Sequence, residues 1–180
     1  DDVENYDKYI DEFGVRGLNL IIESERKPLG TAGALKKLKK YIGKKPALVI
    51  HGDVYSDIDL SDLLEYHMED RDTSTLVLTT VANPQKYGLV KVRGSEVVEF
   101  LEKPKKHMSP NLVSAGIYII NPKVFNYIED NEFVSMEEDI FPKLAKDKGL
   151  VSYIHTGLWC DISYSEMYKE AIKHYKMSHS

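Results

Sequence analysis

Short apolar runs alternate with amphipathic stretches along the chain. Leu18–Ile22, Ala47–Ile50, Thr75–Val81 and Val113–Ile120 are rich in Val, Ile, Leu or Thr, and most lack a polar face. That pattern predicts central strands covered on both sides. Between them, Thr31–Tyr41 sets Ala34, Leu35, Leu38 and Tyr41 on one side and a lysine run on the other, and Leu60–Glu69 carries Leu63 and Leu64 at helical spacing. Ser135-Met136-Glu137-Glu138 reads as a capping box that opens a helix over Met136–Lys146, with Pro142 expected to distort that helix or shift its start. Ser165–Lys176 is the last predicted helix. Gly88–Arg93 instead alternates in and out, and Gly94-Ser95 turns it into Glu96–Leu101 as a hairpin. Together these predict an α/β fold: a largely parallel central sheet, flanking helices and a small antiparallel patch at one edge.

Composition narrows the class without naming a ligand. The chain has 180 residues with 24 Lys+Arg against 29 Asp+Glu, a net charge of −5, and is expected to form one domain over residues 1–180. A hydrophobic share of 42% with 29% charged residues excludes disordered and fibrous classes. No run approaches the roughly 18 apolar residues of a membrane span. Asp1-Asp2-Val3-Glu4 lacks the basic and apolar regions of a signal peptide, and the single cysteine, Cys160, forms no internal disulfide. A cytoplasmic protein is the expectation, without membrane or nucleic-acid partners, though a local basic pocket for phosphates is compatible with the mild acidity.

Four segments have the residue types for chemistry. Lys27-Pro28-Leu29-Gly30-Thr31-Ala32-Gly33 follows a predicted strand and opens a helix; its glycines let a ligand approach the backbone and its helix start offers free N–H groups, or else glycine merely permits the turn. His51-Gly52-Asp53 ends the Ala47–Ile50 strand, where ligands bind in open α/β sheets, and Asp53 there suits a hard cation. His51 itself reads as a structural histidine, and Asp57 and Asp59 as helix-capping residues. Glu102-Lys103-Pro104 closes the hairpin; a fixed Glu-Lys pair binds hydroxyls with one side chain and phosphate with the other, or is simply a solvated strand exit. In Trp159-Cys160-Asp161-Ile162, an Asp in apolar surroundings needs a cation or hydrogen bonds to stay ionised, or caps the following helix, while Trp159 and Cys160 read as core.

The order of these segments says more than any one of them. Pro-Leu-Gly-Thr-Ala-Gly-Ala-Leu from Pro28, Gly52-Asp53, Tyr87-Gly88, Glu102-Lys103-Pro104, Ser114-Ala115-Gly116-Ile117-Tyr118, Ser135-x-Glu-x-Asp-Ile-Phe-Pro and Trp159-x-Asp161-Ile162 together resemble the sugar-1-phosphate nucleotidyltransferases, the NDP-sugar pyrophosphorylases. The likeness is greatest to the mannose-1-phosphate guanylyltransferase and glucose-1-phosphate thymidylyltransferase branches, and runs from about Leu18 onward. The resemblance implies a Rossmann-like fold and transfer of a nucleotidyl group from a nucleoside triphosphate to a sugar 1-phosphate, with release of pyrophosphate. It implies that Asp53 and Asp161 hold Mg²⁺, that the backbone of Pro28, Gly30 and Thr31 reads the base, and that Gly52 belongs to the Gly-Asp motif. Gly88 would meet the sugar through its N–H, Glu102 would take sugar hydroxyls and Lys103 the sugar phosphate. Ser114 stands where the family has Asn, and Ser163 where it often has Gly.

One family element is absent from the sequence. No Gly-Gly-x-Gly-Thr-Arg-Leu segment occurs, and Asp1–Val15 is too short for a βαβ unit of about 30 residues. The expectation is therefore a fold lacking its first βα region, a fragment or one part of an assembly or homo-oligomer, whose isolated 180 residues supply the sugar- and metal-binding portion without turning over. Two other readings compete. One is a non-catalytic paralogue that binds sugar nucleotides and regulates a complete partner; the other is a Rossmann-like glycosyltransferase using Asp57 and Asp59 as a metal pair.

Overall fold

The computed structural model describes residues 19–70, 72–104, 111–130 and 132–178. In chain order these form α1 (Gly30–Ile42), β1 (Ala47–Ile50), β2 (Val54–Ser56), α2 (Leu60–Glu69), β3 (Ser74–Thr80), β4 (Leu89–Arg93), β5 (Glu96–Leu101), β6 (Leu112–Ile120), α3 (Phe141–Lys146), β7 (Leu150–Ile154), β8 (Trp159–Asp161) and α4 (Ser165–Ser178). Short 3-10 turns occupy Pro84–Lys86 and Pro122–Asn126, and a π-helical turn over Met136–Ile140 leads into α3. Pro142 explains that break: it lies in the first turn of α3, where a missing N–H costs nothing, so the regular helix starts at Phe141.

The α/β class and the central sheet with flanking helices are present; the strand pairing departs from expectation. The sheet runs β1-β6-β3-β7-β5-β4, and the β3–β7 ladder is parallel. The other ladders, β1–β6, β3–β6, β4–β5, β4–β6 and β5–β7, are antiparallel. The cause is β6, which returns from the β4–β5 hairpin and inserts head-to-tail between β1 and β3. Apolar runs alone do not reveal this, because a strand buried on both faces reads alike in either direction. The strand expected over Leu18–Ile22 is also not seen: Leu18 lies outside the described residues, while Leu20, Ile21 and Ile22 are exposed and pair with no strand among the described residues.

Two apolar layers cover the sheet. Leu76 and Leu78 of β3 face one layer with Ala32 and Leu35 of α1, Tyr118, Phe125, Met136 and Phe141. Val77 faces the other, with Leu63 of α2, Ile117, Ile119 and Trp159. The alternation along β3 is that of a strand with neighbours above and below. A two-stranded ladder of β2 and β8 stands beside this sheet and pairs Val54 with Asp161. No helix among the described residues is long and apolar enough to cross a membrane.

Candidate active site

A cavity of about 450 Å³ opens at the end of β1, between the β2–β8 ladder and the start of β4. Backbone irregularities shape it. Where β3 advances from Leu76 to Leu78, its partner positions on β6 jump from Tyr118 to Ser114, so β6 bulges by two residues. Gly116 in the bulge has φ 68°, a left-handed conformation natural to glycine, and a Cβ there would meet His51 Nδ1 at 3.0 Å. The bulge turns Ser114, Ala115 and Gly116 toward the cavity, and the Ala115 carbonyl accepts a 2.8 Å hydrogen bond from the Trp159 indole.

The sequence-derived candidates divide into two sets. Asp53, Asp161, Lys103, Glu102, Gly88, Ser114 and Thr31 all line the cavity. Asp53 and Asp161 come from adjacent chain segments, since the Ile162 N–H donates to the Asp53 carbonyl at 2.8 Å. Pro28, Gly30 and Gly52 are not among the lining residues. At Gly30 the reason is internal packing: φ is 72°, and a Cβ would lie 2.5 Å from the Val134 carbonyl oxygen. That carbonyl also accepts the Ala32 and Gly33 N–H groups at 2.9 and 3.2 Å, so these N–H groups at the start of α1 are spent on the protein itself. Gly52 sits in an exposed turn with nothing within 4 Å of a built Cβ.

Charge is managed residue by residue. Asp161 Oδ1 accepts from the Ser163 N–H at 3.0 Å, which fixes the carboxylate while leaving it partly exposed. Burial pushes the Glu102 carboxyl above its ordinary range, against the opposing pull of the Lys103 ammonium 3.3 Å away. Lys103 itself has φ 41°, an uncommon backbone for a non-glycine residue of the kind that concentrates at functional sites. Tyr87 stays protonated: burial, with the Asp161 charge and Tyr164, pushes its phenol up to about 12. Cys160 is fully buried and burial raises its thiol, so it is no nucleophile here.

Sequence reasoning overlooked the polar cluster that holds the cavity wall. Glu137 Oε2 accepts from the Thr31 hydroxyl at 2.7 Å and the Ser135 hydroxyl at 2.9 Å. Its Oε1 faces His51 Nε2 at 3.5 Å, an ion-pair separation too long for a tight hydrogen bond, and neither atom has a further hydrogen-bond partner among the described residues. Burial opposes ionisation of Glu137, but the His51, Thr31, backbone and Ser135 donors outweigh it and hold the carboxyl at about 2. The same pairing, with smaller contributions from Asp53 and Glu102, raises His51 against the burial penalty. The expected capping box is real but rewired: Ser135 Oγ caps Glu137 and Glu138 at 3.1 Å each, while Asp139, not Glu138, takes the Ser135 N–H at 2.8 Å. The signal available was the position of His51 just before Gly-Asp, and the Glu within the Ser-x-Glu-x-Asp stretch.

Of the two aspartates expected to cap the next helix, Asp59 does so and Asp57 does not, because its carboxylate is turned to His155 instead. Asp59 Oδ1 caps α2 through the Ser61 and Asp62 N–H groups at 2.8 and 3.2 Å. Asp57 Oδ1 lies 3.0 Å from His155 Nε2, and neither aspartate lines the cavity. Among the described residues no group of three or more His, Cys, Asp or Glu is arranged to hold a metal ion by itself. The donor set of Asp53 and Asp161 nevertheless fits a hard divalent cation that takes its remaining ligands from phosphate and water, as Mg²⁺ does.

Comparison with known proteins adds the family. The nucleotidyl transferase family profile matches residues 2–178. A mannose-1-phosphate guanyltransferase of Aspergillus oryzae is 39% identical over 160 residues, 86% of this chain and 43% of the relative. A mannose-1-phosphate guanylyltransferase 1 of Arabidopsis thaliana is 36% identical over 163 residues, 88% of this chain and 45% of the relative. The chain thus spans under half the length of these curated relatives. Among solved structures, HddC from Yersinia pseudotuberculosis superposes with a TM-score of 0.80 at 23% identity, over 96% of this chain and 74% of that one. A UDP-glucose pyrophosphorylase from Acinetobacter baumannii gives 0.79 at 19% identity, over 98% and 68%. Likenesses at that identity speak for the fold.

Proposed function

The chain belongs to the nucleotidyl transferase family, and from that membership we propose that it supplies the sugar-phosphate- and metal-binding part of an enzyme that joins a nucleoside triphosphate to a sugar 1-phosphate, releasing pyrophosphate. The observation that carries the reading is the convergence of Asp53, Asp161, Glu102, Lys103 and Gly88 on one cavity from four separate chain segments. The named relatives make mannose 1-phosphate and a guanine nucleotide the first substrates to test.

Each wall has a task in that reaction. Glu102, kept from solvent over Gly88, accepts hydrogen bonds from sugar hydroxyls. Lys103 offers its ammonium to the sugar phosphate, whose oxygen attacks the α-phosphorus in line as pyrophosphate leaves. Such chemistry asks chiefly for alignment and charge neutralisation. Asp53 and Asp161 would hold Mg²⁺, which when bound offsets negative charge around the attacked phosphorus. Ser114, on the bulged strand, lines the sugar side, with a shorter reach than an amide side chain would have. The alternative metal pair of Asp57 and Asp59 gains no support, since one pairs with His155 and the other caps α2.

Calorimetric titration with GDP-mannose tests the reading. Binding should require Mg²⁺ and should weaken at least about tenfold in Asp161→Asn, a loss of about 1.4 kcal/mol. No binding under any condition would overturn the reading, and equal affinity with and without Mg²⁺ would remove the cation from it.

A further inference from the structure

The cavity wall is rich in carboxylates: Asp53, Glu102, Glu137, Glu138 and Asp161 all line it. A phosphate entering such a space needs cations placed for it. His51 is engaged by Glu137 at 3.5 Å, and Lys103 by Glu102 at 3.3 Å. Lys86 also lines the cavity and is differently placed. Its ammonium lies 4.3 Å from the centroid of the Tyr164 ring and, among the described residues, forms no ion pair. An aromatic face holds a cation without neutralising it, so the full charge stays available to an incoming anion.

The local architecture is built to hold that ammonium in place. Pro84 starts the 3-10 turn that Lys86 ends, and the Tyr87 N–H closes it on the Pro84 carbonyl at 3.1 Å. The Tyr87 ring packs edge-on against Trp159 and Tyr164, at 5.4 and 6.2 Å between centroids. The Tyr87 carbonyl then accepts the Lys103 N–H at 3.3 Å, which joins the turn bearing Lys86 to the left-handed residue bearing the other lysine. Tyr164, on which Lys86 rests, donates its N–H to the Asp161 carbonyl at 3.2 Å. A hydrogen bond thus ties the turn bearing Lys86 to Lys103, and ring contacts tie it to Tyr164 and so to Asp161.

We propose that Lys86 is a second phosphate-binding cation, which together with Lys103 clamps the phosphate of the sugar 1-phosphate at the cavity mouth. This rests on the function proposed above. Phosphate chemistry alone would equally admit the triphosphate of the nucleotide; the tie to Lys103, whose neighbour Glu102 lies over Gly88, favours the sugar phosphate.

The test is calorimetry or ligand-observed NMR on the full chain with mannose 1-phosphate and, separately, GTP, using wild type, Lys86→Met and Lys86→Arg. Met keeps the stem and removes the charge. Lys86→Met is expected to weaken mannose 1-phosphate about tenfold and GTP less than twofold, with Lys86→Arg restoring most of the affinity. Thermal melting of each variant reports folding, and a loss of affinity that Arg fails to restore would indicate a packing role and overturn the proposal. A loss confined to GTP would also overturn it, by moving the clamp to the nucleotide. Wild-type binding left unchanged by Lys86→Met overturns this proposal alone. Wild type that binds neither ligand overturns the proposed function, and this inference with it.

Discussion

Glu137 and His67 are both ionisable groups withdrawn from solvent, on opposite faces of the sheet, and the protein treats them in opposite ways. Glu137 sits beside Met136 in the α1 layer, with hydroxyl, backbone and imidazole donors around its carboxylate, and is held charged at about 2. His67 sits on α2 in the other layer, 1% exposed, with Nδ1 2.9 Å from the Thr75 hydroxyl and Nε2 without a hydrogen-bond partner among the described residues. Burial, only partly offset by Asp70, lowers its pKa and keeps it neutral. The difference is one of ligation. A charge is retained where the chain supplies several hydrogen-bond partners of the right sense, donors for the carboxylate at the cavity wall, and is given up where a would-be cation has one hydroxyl partner, in the scaffold.

The largest effect is expected from breaking the charged side of this pair. Glu137→Ala strands the Thr31, Ser135 and His51 donors and should cost about 3 kcal/mol in urea unfolding at pH 7. Acid gives the same answer without mutation. The folded carboxyl titrates near 2 and the unfolded one near its ordinary value of 4.5, so the stabilisation is complete above about 4.5 and is lost as pH falls toward 2. The corresponding loss is about 3 kcal/mol, and Glu137→Gln should remove most of that acid-side slope. An Ala variant as stable as wild type would mean that the carboxylate anchors nothing.

Replacing His67 should change less, and at a different pH. Its folded pKa lies below the unfolded value of 6.5, so the unfolded state binds more protons and stability falls as pH drops through 6.5. The slope approaches about 1.4 kcal/mol per pH unit only between the folded and unfolded values, and vanishes below the folded one. His67→Gln retains a partner for Thr75 and should flatten the curve below pH 6.5 while leaving stability near neutral pH little changed. An unaltered slope would place the titration elsewhere and undo the contrast with Glu137.

That contrast also marks where sequence was readable. The α/β class, four helices to within a few residues and the β4–β5 hairpin follow from periodicity and turn residues, because these are local. The motif order brought Asp53 and Asp161 into one argument although 107 intervening residues separate them, and the β2–β8 ladder that joins them was not itself foreseen. What escaped was non-local. The direction of β6 depends on which strands flank it, and its two-residue bulge on a register invisible in Val113–Ile120. Gly30 looked like a ligand-facing glycine because the sequence does not show Val134 packed against it. Glu137 was hidden inside a capping box and His51 read as structural, since nothing local says that they face each other across 86 residues. The predicted strand at Leu18–Ile22 shows the converse error, apolar residues without strand partners among those described.

The smallest and sharpest test uses the two helix caps, one on each side of the comparison. Asp59 caps α2, which carries His67, and Ser135 caps the turn that carries Glu137; each accepts two backbone N–H groups. As caps alone, either change to Ala should cost about 1 kcal/mol. Ser135 has one further task, because its hydroxyl also donates to Glu137 Oε2 at 2.9 Å. A hydrogen bond to a charged group is worth more than a neutral one, so Ser135→Ala should exceed Asp59→Ala by about 1 kcal/mol at pH 7. That excess belongs to the carboxylate and not to the cap. It should therefore shrink when Ser135→Ala is made in a Glu137→Gln background, while the Asp59→Ala cost is the same in both backgrounds because the two sites share no partner. Equal costs for the two caps in the wild-type background would show that Glu137 draws nothing from Ser135, and that its charge rests on Thr31, His51 and its own backbone.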